Sequence, residues 1–171
     1  MQTQMPPKKN KSDDRYGTPK EAIELLIPDL KKEWLIWECA CGTGSITGYL
    51  QASGYEVFGT DIEYDFILGK SLECDCIVTN PPYSMKNHFI RKCYEIGKPF
   101  ALLMPLTALE SEERQKYYRK HGVQLIIPDK RIQYTMPDGS KNKHGNWFSS
   151  AWFTHGFNLP EAIIFRKLNR G

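Results

Sequence analysis

The chain has 171 residues, of which 40% are hydrophobic and 12% are aromatic, so one domain can bury a full hydrophobic core. No apolar run is long enough to span a membrane, and the polar, basic N-terminal segment lacks the pattern of a signal peptide. The formal net charge of +3 permits nucleic-acid binding but does not argue for it. We expect a cytoplasmic protein with a flexible tail over residues 1–14 and one domain over residues 15–171.

The first predicted elements are a helix, a strand, a second helix and a second strand. Thr18-Pro19-Lys20-Glu21 has the pattern of a capping box with proline at the first helical position, and predicts a helix that extends to about Ile27. The apolar run Trp34–Trp37 predicts a buried strand. Apolar residues at helical spacing follow over about Ser45–Ala52, and Glu56–Gly59 predicts the next strand.

The middle of the chain repeats this alternation. Asp75–Thr79 predicts a strand, and the apolar residues of Ser84–Gly97 share one side of a predicted helix that glycine ends. Phe100–Met104 predicts another strand. Thr107-Ala108-Leu109-Glu110 has a second capping-box pattern, ahead of a charged helix that stops at Gly122.

Three strands close the predicted domain, at Val123–Ile127, about Ser150–Thr154 and Ala162–Phe165. Alternating helices and strands indicate an α/β fold with a mostly parallel, seven-stranded sheet and helices on both faces. In such folds, ligands bind at the carboxyl ends of the strands. The residues that follow each strand are therefore the first candidates for a functional site.

The five cysteines include two Cys-x-Cys pairs, Cys39/Cys41 and Cys74/Cys76, a spacing that zinc sites use. The first pair lies at the carboxyl end of one predicted strand, and the second lies at the start of a parallel strand. A strand length of about 15 Å therefore separates them. We expect no metal site, and reduced, largely buried thiols instead.

The segments after the first two predicted strands contain the residue types of a nucleotide-like ligand site. Gly42 and Gly44 allow a tight turn and a close approach of the backbone to a ligand, although a G-x-G pattern alone also fits a structural turn. Glu38 precedes them and can face an ammonium group directly or through water. Asp61 can accept hydrogen bonds from ribose hydroxyls, or can be a turn or N-cap aspartate.

The most informative motif is Asn80-Pro81-Pro82-Tyr83, directly after the predicted strand Asp75–Thr79. Each proline fixes its own φ and favours an extended residue before it, so the motif has a defined backbone shape. The Asn80 carboxamide oxygen and the nearby main-chain carbonyls can accept hydrogen bonds from an amino group on a planar ring, and Tyr83 supplies a flat ring beside them. A proline-stiffened surface loop is the alternative.

A long loop over Asp129–Trp147 combines basic and aromatic residues with glycine and polar residues. The side chains concerned are Lys130, Arg131, Tyr134, Lys141, Lys143, His144 and Trp147. Basic and aromatic residues interleaved beside an active site suit phosphate and base contacts, whereas the alternative is a solvated connection between two strands. The residues predicted to bind substrate are Lys130, Arg131, Lys141, Lys143 and Trp147.

Asn80-Pro81-Pro82-Tyr83 resembles the catalytic motif of S-adenosylmethionine-dependent amino methyltransferases, above all of the small phage-type and prophage-type DNA adenine-N6 enzymes. The resemblance covers most of the chain and implies a Rossmann-like class I methyltransferase fold. Glu38–Gly44 resembles the cofactor loop of the family, with Ala40 where phenylalanine is frequent. Asp65-Phe66 resembles a pair that lines the cofactor's adenine, and Tyr16-Gly17-Thr18-Pro19 resembles the motif at the cofactor's amino-acid end.

The resemblance implies S-adenosylmethionine as the cofactor and DNA as the partner, with the target base flipped out of the duplex. The residues that it assigns to catalysis are Asn80, Pro81, Pro82 and Tyr83. The residues that it assigns to cofactor binding are Tyr16, Thr18, Pro19, Glu38, Cys39, Ala40, Gly42, Gly44, Asp61, Ile62, Asp65, Phe66 and Asn80. The chain has no space for a separate target-recognition domain, so we expect base contacts from loops.

Three functions remain open on the sequence. The first is methylation of adenine N6 in DNA. The second is methylation of another amino group, in RNA, at cytosine N4 or on a protein glutamine. The cytosine-N4 enzymes usually have serine in place of Asn80, and the glutamine enzymes usually have an added helical domain. The third is a cofactor-binding subunit without catalysis, against which the intact residues Asn80, Tyr83, Gly42, Gly44 and Asp61 argue.

Overall fold

The computed structural model describes residues 16–62, 64–136, 138–140 and 148–169. Within these ranges the strands are β1 Leu35–Glu38, β2 Glu56–Gly59, β3 Cys76–Thr79, β4 Phe100–Pro105, β5 Gln124–Pro128, β6 Ser150–His155 and β7 Ile163–Arg166. The α-helices are α1 Lys20–Glu24, α2 Ser45–Ala52, α3 Lys86–Ile96 and α4 Glu112–His121. None of the helices in these ranges is long and apolar enough to cross a membrane. The predicted tail over residues 1–14 lies outside the described residues.

The seven strands form one sheet in the order β2-β1-β3-β4-β6-β5-β7. β1 is parallel to β2 and β3, β3 is parallel to β4, and β5 is parallel to β7, while β6 runs antiparallel to β4 and β5. The prediction of a mostly parallel, seven-stranded α/β sheet is confirmed, with β6 as the reversed strand. The carboxyl ends of the six parallel strands therefore meet the start of β6 at one edge, here called the carboxyl edge.

Side chains alternate between the two faces of the sheet and build a core on each face. On one face, Ile36 of β1 packs in a cluster with Ile23 of α1 and Leu50 of α2. On the other face, Trp37 of β1 packs in a cluster with Phe89 of α3. Helices therefore cover both faces, as the alternation of elements predicted.

The capping box predicted at the first helix is not formed. α1 begins at Lys20 and ends at Glu24, and no side chain caps it. The Thr18 hydroxyl instead accepts a hydrogen bond from another part of the chain, described below. A separate 3₁₀ turn follows at Ile27–Asp29, because Pro28 lacks a main-chain N–H and disfavours helix at the residue before it.

The second predicted capping box is also wrong, and α3 starts later than predicted. Leu106–Leu109 forms a 3₁₀ turn, and the Ala108 carbonyl accepts hydrogen bonds from Arg114 Nε at 2.7 Å and from the Tyr118 hydroxyl at 3.1 Å. These side chains take the acceptor that a helix would use, so α4 begins only at Glu112. A 3₁₀ turn over Tyr83–Met85 likewise precedes α3.

The cysteines occupy the positions that the strand assignment predicts. Ile36 of β1 is level with Cys76 of β3, so Cys39 and Cys41 follow the carboxyl end of β1 while Cys74 precedes β3. All five cysteines are free thiols, and burial raises the pKa of Cys39 and of Cys76 well above the usual value. Among the described residues, no group of three or more His, Cys, Asp or Glu residues could hold a metal ion.

Candidate active site

Asn80 joins the end of β3 to the segment before α1. β3 ends at Thr79, so Asn80 is the first residue beyond the strand at the carboxyl edge. Asn80 Nδ2 donates a hydrogen bond to Thr18 Oγ1 at 3.2 Å. Thr18 is buried and Asn80 is half-buried, so the bond fixes the amide at a partly exposed position. This contact connects two motifs that lie 62 residues apart in the sequence.

Tyr83 belongs to an aromatic cluster of four rings, Tyr16, Tyr83, Tyr134 and Phe148. The Tyr83 hydroxyl donates a hydrogen bond to the Tyr134 hydroxyl at 3.0 Å, and the Tyr83 ring meets Phe148 edge-on at 5.5 Å between centroids. Tyr134 also packs against Tyr16 and Phe148, with centroid distances of 6.0 Å and 6.2 Å. The cluster therefore connects the motif after β3, the segment before α1, the described part of the predicted substrate loop and Phe148, which follows that loop.

Two of the phenols in the cluster, those of Tyr83 and Tyr134, are held in the protonated form. Burial raises the pKa of Tyr83 well above its usual value, and the Tyr134 phenol adds to this effect. Burial also raises the pKa of Tyr134 to about 12, while the nearby Ser150 and Tyr83 hydroxyls act in the opposite direction. At neutral pH both phenols can donate hydrogen bonds, but neither can act as a general base.

The glycine loop, Glu38–Gly44, turns tightly between β1 and α2. Gly42 (φ 49°) and Gly44 (φ 77°) have left-handed backbone conformations, which glycine adopts without steric cost. Gly44 N donates to Cys41 O at 2.7 Å, and Cys41 N donates to Thr60 O at 2.9 Å. A Cβ on either of the two glycines would meet nothing within 4 Å. The backbone is thus open to the close approach of a ligand.

The Glu38 carboxylate points into the fold. Glu38 is 2% exposed, and its Oε2 accepts hydrogen bonds from Thr47 N at 2.8 Å and from the Thr47 hydroxyl. Burial raises the pKa of Glu38 to about 7, against the lowering effect of the two Thr47 bonds, and the Asp61 charge raises it further. Glu38 therefore ties the first turn of α2 to the end of β1, and its contact with an ammonium group stays a prediction.

Asp61 lies just beyond β2 at the same edge. Thr60 N donates to Glu38 O at 2.9 Å, and Trp37 Nε1 donates to Thr60 Oγ1 at 2.9 Å, so the chain before Asp61 is fixed to β1. Asp61 is half-buried, and its charge acts on Glu38. Ile62 is largely exposed. The two carboxylates therefore lie close together at the carboxyl ends of the neighbouring strands β1 and β2.

Asp65 and Phe66 follow β2, and Phe66 packs in the core cluster that contains Trp37 and Phe89. Asp65 Oδ1 accepts hydrogen bonds from the main-chain N–H groups two and three residues further on, at 2.9 Å and 3.0 Å, so it stabilises a turn. The buried Phe66 ring packs with Trp37 and Phe89, at centroid distances of 5.2 Å and 5.0 Å. Contact of this pair with a cofactor adenine stays a prediction.

The segment before α1 pairs with the predicted substrate loop. Gly17 N donates to Thr135 O at 2.9 Å and Thr135 N donates to Gly17 O at 3.1 Å, in an isolated antiparallel bridge. A Cβ on Gly17 would overlap Thr135 Oγ1 and lie 3.5 Å from Ser45 Oγ of α2. Because glycine has no Cβ, the loop can pack between the segment before α1 and the start of α2.

Lys130 and Arg131 are exposed at the carboxyl edge, just after β5. They line a cavity of about 190 Å³ whose other walls are Leu106, Ile127, Pro128, Asp129, Ser149 and Ser150. Ser150 also neighbours the phenols of Tyr83 and Tyr134, so the cavity adjoins the aromatic cluster. A cavity of about 250 Å³ between α1 and the end of β7 is lined by none of the predicted site residues. Lys141, Lys143 and Trp147 lie outside the described residues.

The sequence patterns did not predict Tyr134 and Phe148 as neighbours of Tyr83. One signal was available for Tyr134, because Ile132 and Tyr134 alternate with the polar residues Arg131 and Gln133, as in an extended segment with one side packed on a core. Both Ile132 and Tyr134 are buried in the structure. Nothing in the local sequence indicates the position of Phe148, which depends on where the chain re-enters the sheet at β6.

Comparisons with known proteins rest on structure. No family model matches the chain, and no curated protein matches it. A candidate RNA methyltransferase from Pyrococcus horikoshii has a TM-score of 0.58 and 15% identity, over 87% of this chain and 88% of that chain. A candidate class I S-adenosylmethionine-dependent methyltransferase from Listeria monocytogenes has a TM-score of 0.57 and 13% identity, over 92% of this chain and 67% of that chain.

A third similar structure is the modification subunit of a candidate type I restriction enzyme from Vibrio vulnificus. Its TM-score is 0.53 and its identity 12%, over 91% of this chain and 47% of that longer chain. The structural overlap confirms the predicted Rossmann-like class I methyltransferase fold, and at identities this low the likeness extends to the fold alone.

Proposed function

We propose that the protein transfers a methyl group from S-adenosylmethionine to the N6 amino group of adenine in DNA. The observation that carries the proposal is the position of Asn80 at the carboxyl edge of this fold, with its amide held by Thr18 and with Tyr83 three residues further on. An amide acceptor beside an aromatic ring suits an exocyclic amine on a planar base.

The residues at the ends of β1 and β2 fit S-adenosylmethionine. The open backbone at Gly42 and Gly44 admits a ligand at close range, and Asp61 offers carboxylate oxygens to ribose hydroxyls. Glu38 and Asp61 together make this region favourable for the positively charged end of the cofactor. When bound, the cofactor supplies an electrophilic methyl group. Thr18, which accepts a hydrogen bond from Asn80, belongs to the motif expected at the cofactor's amino-acid end.

Asn80 acts in this reaction as a hydrogen-bond acceptor and not as a base. Because Nδ2 donates to Thr18, Oδ1 remains to accept one proton of the adenine amino group, and a main-chain carbonyl of the motif accepts the other. These acceptors favour a tetrahedral nitrogen, whose lone pair forms the new N–C bond while the C–S bond of the donor breaks. The nitrogen then releases one proton to water.

The surroundings of Asn80 also support a nucleic-acid substrate. Adenine N6 is paired inside a duplex, so the base must leave the stack before the methyl group can reach it. Tyr83 is half-buried, which leaves part of its ring to stack on an extruded base. Lys130 and Arg131, exposed beside the cavity next to the aromatic cluster, suit the phosphates on either side of that base.

A methylation assay with identification of the product tests the proposal. The protein is incubated with methyl-labelled cofactor and, separately, with duplex DNA, single-stranded DNA, RNA or protein, and the modified nucleoside or residue is identified. We expect N6-methyladenine in DNA. Asn80→Ala should lower the single-turnover rate at least about 100-fold, since its acceptor acts on the transition state, while the affinity for cofactor changes less than about twofold.

The matched control is Asn169→Ala, which removes an exposed amide after β7 and should transfer at the wild-type rate. If the single-turnover rate of Asn80→Ala is within about twofold of the wild-type rate, the role assigned to Asn80 is wrong. If the label is found only in RNA or protein, the protein is still an amino methyltransferase, but DNA is not its substrate. Cofactor binding without transfer to any acceptor would indicate a non-catalytic subunit.

A further inference from the structure

β7 is an edge strand with an apolar outer face. Phe165 is 75% exposed and Ile163 is 43% exposed, although both are large hydrophobic residues of β7. The alternate residues Ile164 and Arg166 point to the opposite face, where Ile164 packs on the core and Arg166 is paired with Asp29. The exposed side chains are therefore not frayed ends but one side of an ordered strand.

Among the residues that the structure describes, the main chain of β7 is paired with a strand along one edge only, that of β5. Leu125 N donates to Ala162 O at 2.8 Å and Asp129 N donates to Arg166 O at 2.9 Å, so the even-numbered residues of β7 direct their main-chain groups toward β5. By alternation, Ile163 and Phe165 direct their N–H and C=O groups outward. Within the described residues no strand pairs with this edge.

We propose that β7 pairs antiparallel with β7 of a second copy of the chain, around a two-fold axis at Ile164. In this register Ile163 lies opposite Phe165 of the second copy, and each such pair exchanges two main-chain hydrogen bonds. Glu161 then lies opposite Lys167 of the second copy on both sides of the axis. The strand is thus complementary to itself in charge as well as in hydrogen bonding.

The charges select this register over its neighbours. Sliding the strands by two residues would place Ile163 opposite itself and Glu161 opposite Phe165, with no charge pair. In the proposed register the exposed apolar side chains of both copies form one continuous patch, because directly opposite residues in an antiparallel pair share a face. The Glu161 carbonyl faces β5, where it accepts a hydrogen bond from Gln124 Nε2 at 3.0 Å, so the Glu161–Lys167 pair adds a charge contact and no main-chain hydrogen bond through that carbonyl.

Sedimentation or light scattering of the full chain tests this interface. Between about 1 and 200 µM, the mass should rise from 19.8 kDa toward twice that value and no further, because a two-fold interface closes. Glu161→Lys and Lys167→Glu each place like charges opposite each other twice per dimer. Each variant should raise the dissociation constant about tenfold or more.

An equimolar mixture of the Glu161→Lys and Lys167→Glu variants supplies the sharpest readout. One chain then has lysine at both positions and the other has glutamate at both, so the mixture should form a heterodimer although neither variant self-associates. The double variant Glu161→Lys/Lys167→Glu should dimerise like wild type. Because the double variant keeps the wild-type net charge of +3, its dimerisation reports on the pairing of positions 161 and 167 and not on net charge.

Two further variants separate the interface from general hydrophobic association. Phe165→Ser should weaken the dimer, whereas Leu68→Ser, at a leucine that is 86% exposed elsewhere, should leave it unchanged. A wild-type chain that stays monomeric to about 200 µM, a mass above the dimer, or a mixture that fails to associate would each overturn the proposal. The test does not depend on the proposed function, because it requires neither cofactor nor DNA.

Discussion

Thr18 and Asn80 show why a local pattern can indicate a residue's importance and still miss its partner. Thr18-Pro19-Lys20-Glu21 has the spacing of a capping box, and that pattern depends only on neighbours in the sequence. In the fold the Thr18 hydroxyl accepts from Asn80 at 3.2 Å. One hydrogen bond is worth about 1 kcal/mol in either arrangement, so local sequence cannot decide between them. The position of β3 decides, by placing Asn80 within reach.

Glu38 gives stability a defined pH dependence. Burial raises the pKa of Glu38 from its usual value of 4.5, which applies to the unfolded chain, to about 7 in the folded protein. Between these values the folded protein keeps a proton that the unfolded chain has lost, so the free energy of unfolding falls as the pH rises through this window. The free energy of unfolding levels off once the pH is above the folded-state pKa of about 7, after a total decrease of about 3 kcal/mol.

Urea unfolding at about pH 5 and about pH 7.5 measures this effect. Glu38→Gln keeps an acceptor for Thr47 but cannot ionise, so it should flatten the pH dependence by most of that amount. Glu112→Gln, which removes an exposed carboxylate from α4, should keep the wild-type slope. Identical slopes for wild type and Glu38→Gln would show that Glu38 does not titrate between these pH values.

At the scale of elements, β2 and α2 approach each other so closely that only glycine fits at the junction. A Cβ on Gly59, at the end of β2, would lie 2.9 Å from Cys41 Cβ and 3.0 Å from Thr47 Oγ1. Cys41 belongs to the glycine loop, and Thr47 holds Glu38. The sequence predicted Gly59 only as the end of a strand, because the close approach depends on how α2 packs.

The same substitution at two glycines should therefore have opposite effects. Gly59→Ala must displace Cys41 or Thr47 and should lower the free energy of unfolding by about 1–3 kcal/mol. Gly48→Ala lies within α2, where a Cβ meets nothing within 4 Å, and should raise it by about 0.5–1 kcal/mol. Chemical unfolding of both variants checks the signs, and a neutral Gly59→Ala would mean that the junction has room.

At the scale of the whole molecule, the order of elements was predictable and the order of strands was not. Runs such as Phe100–Met104 are apolar because both faces of the sheet are covered, and that signal is local. The insertion of β6 between β4 and β5 is set by long-range pairing. The same insertion brings Phe148 beside Tyr83, so the motif was visible in the sequence and its aromatic surroundings were not.

The net charge of the whole molecule is too small to account for DNA binding by itself. With 23 basic and 20 acidic residues the net charge is only +3, so DNA affinity has to depend on local groups rather than on the overall field. Lys130 and Arg131 are the described basic pair exposed beside the cavity next to the aromatic cluster. If each contacts one phosphate, Lys130→Ala/Arg131→Ala should reduce the slope of log K against log salt concentration by about 2.

Fluorescence anisotropy of a labelled duplex between about 50 and 200 mM salt measures that slope. The matched control is Arg119→Ala/Lys120→Ala, because it removes the same charge from the end of α4. The end of α4 is near the start of β5, so these two residues lie at the other edge of the sheet from the cavity. We expect the control to keep the wild-type slope. An equal loss in both double variants would mean that the two pairs act only through net charge. An unchanged slope in Lys130→Ala/Arg131→Ala would remove this loop from the DNA-binding surface.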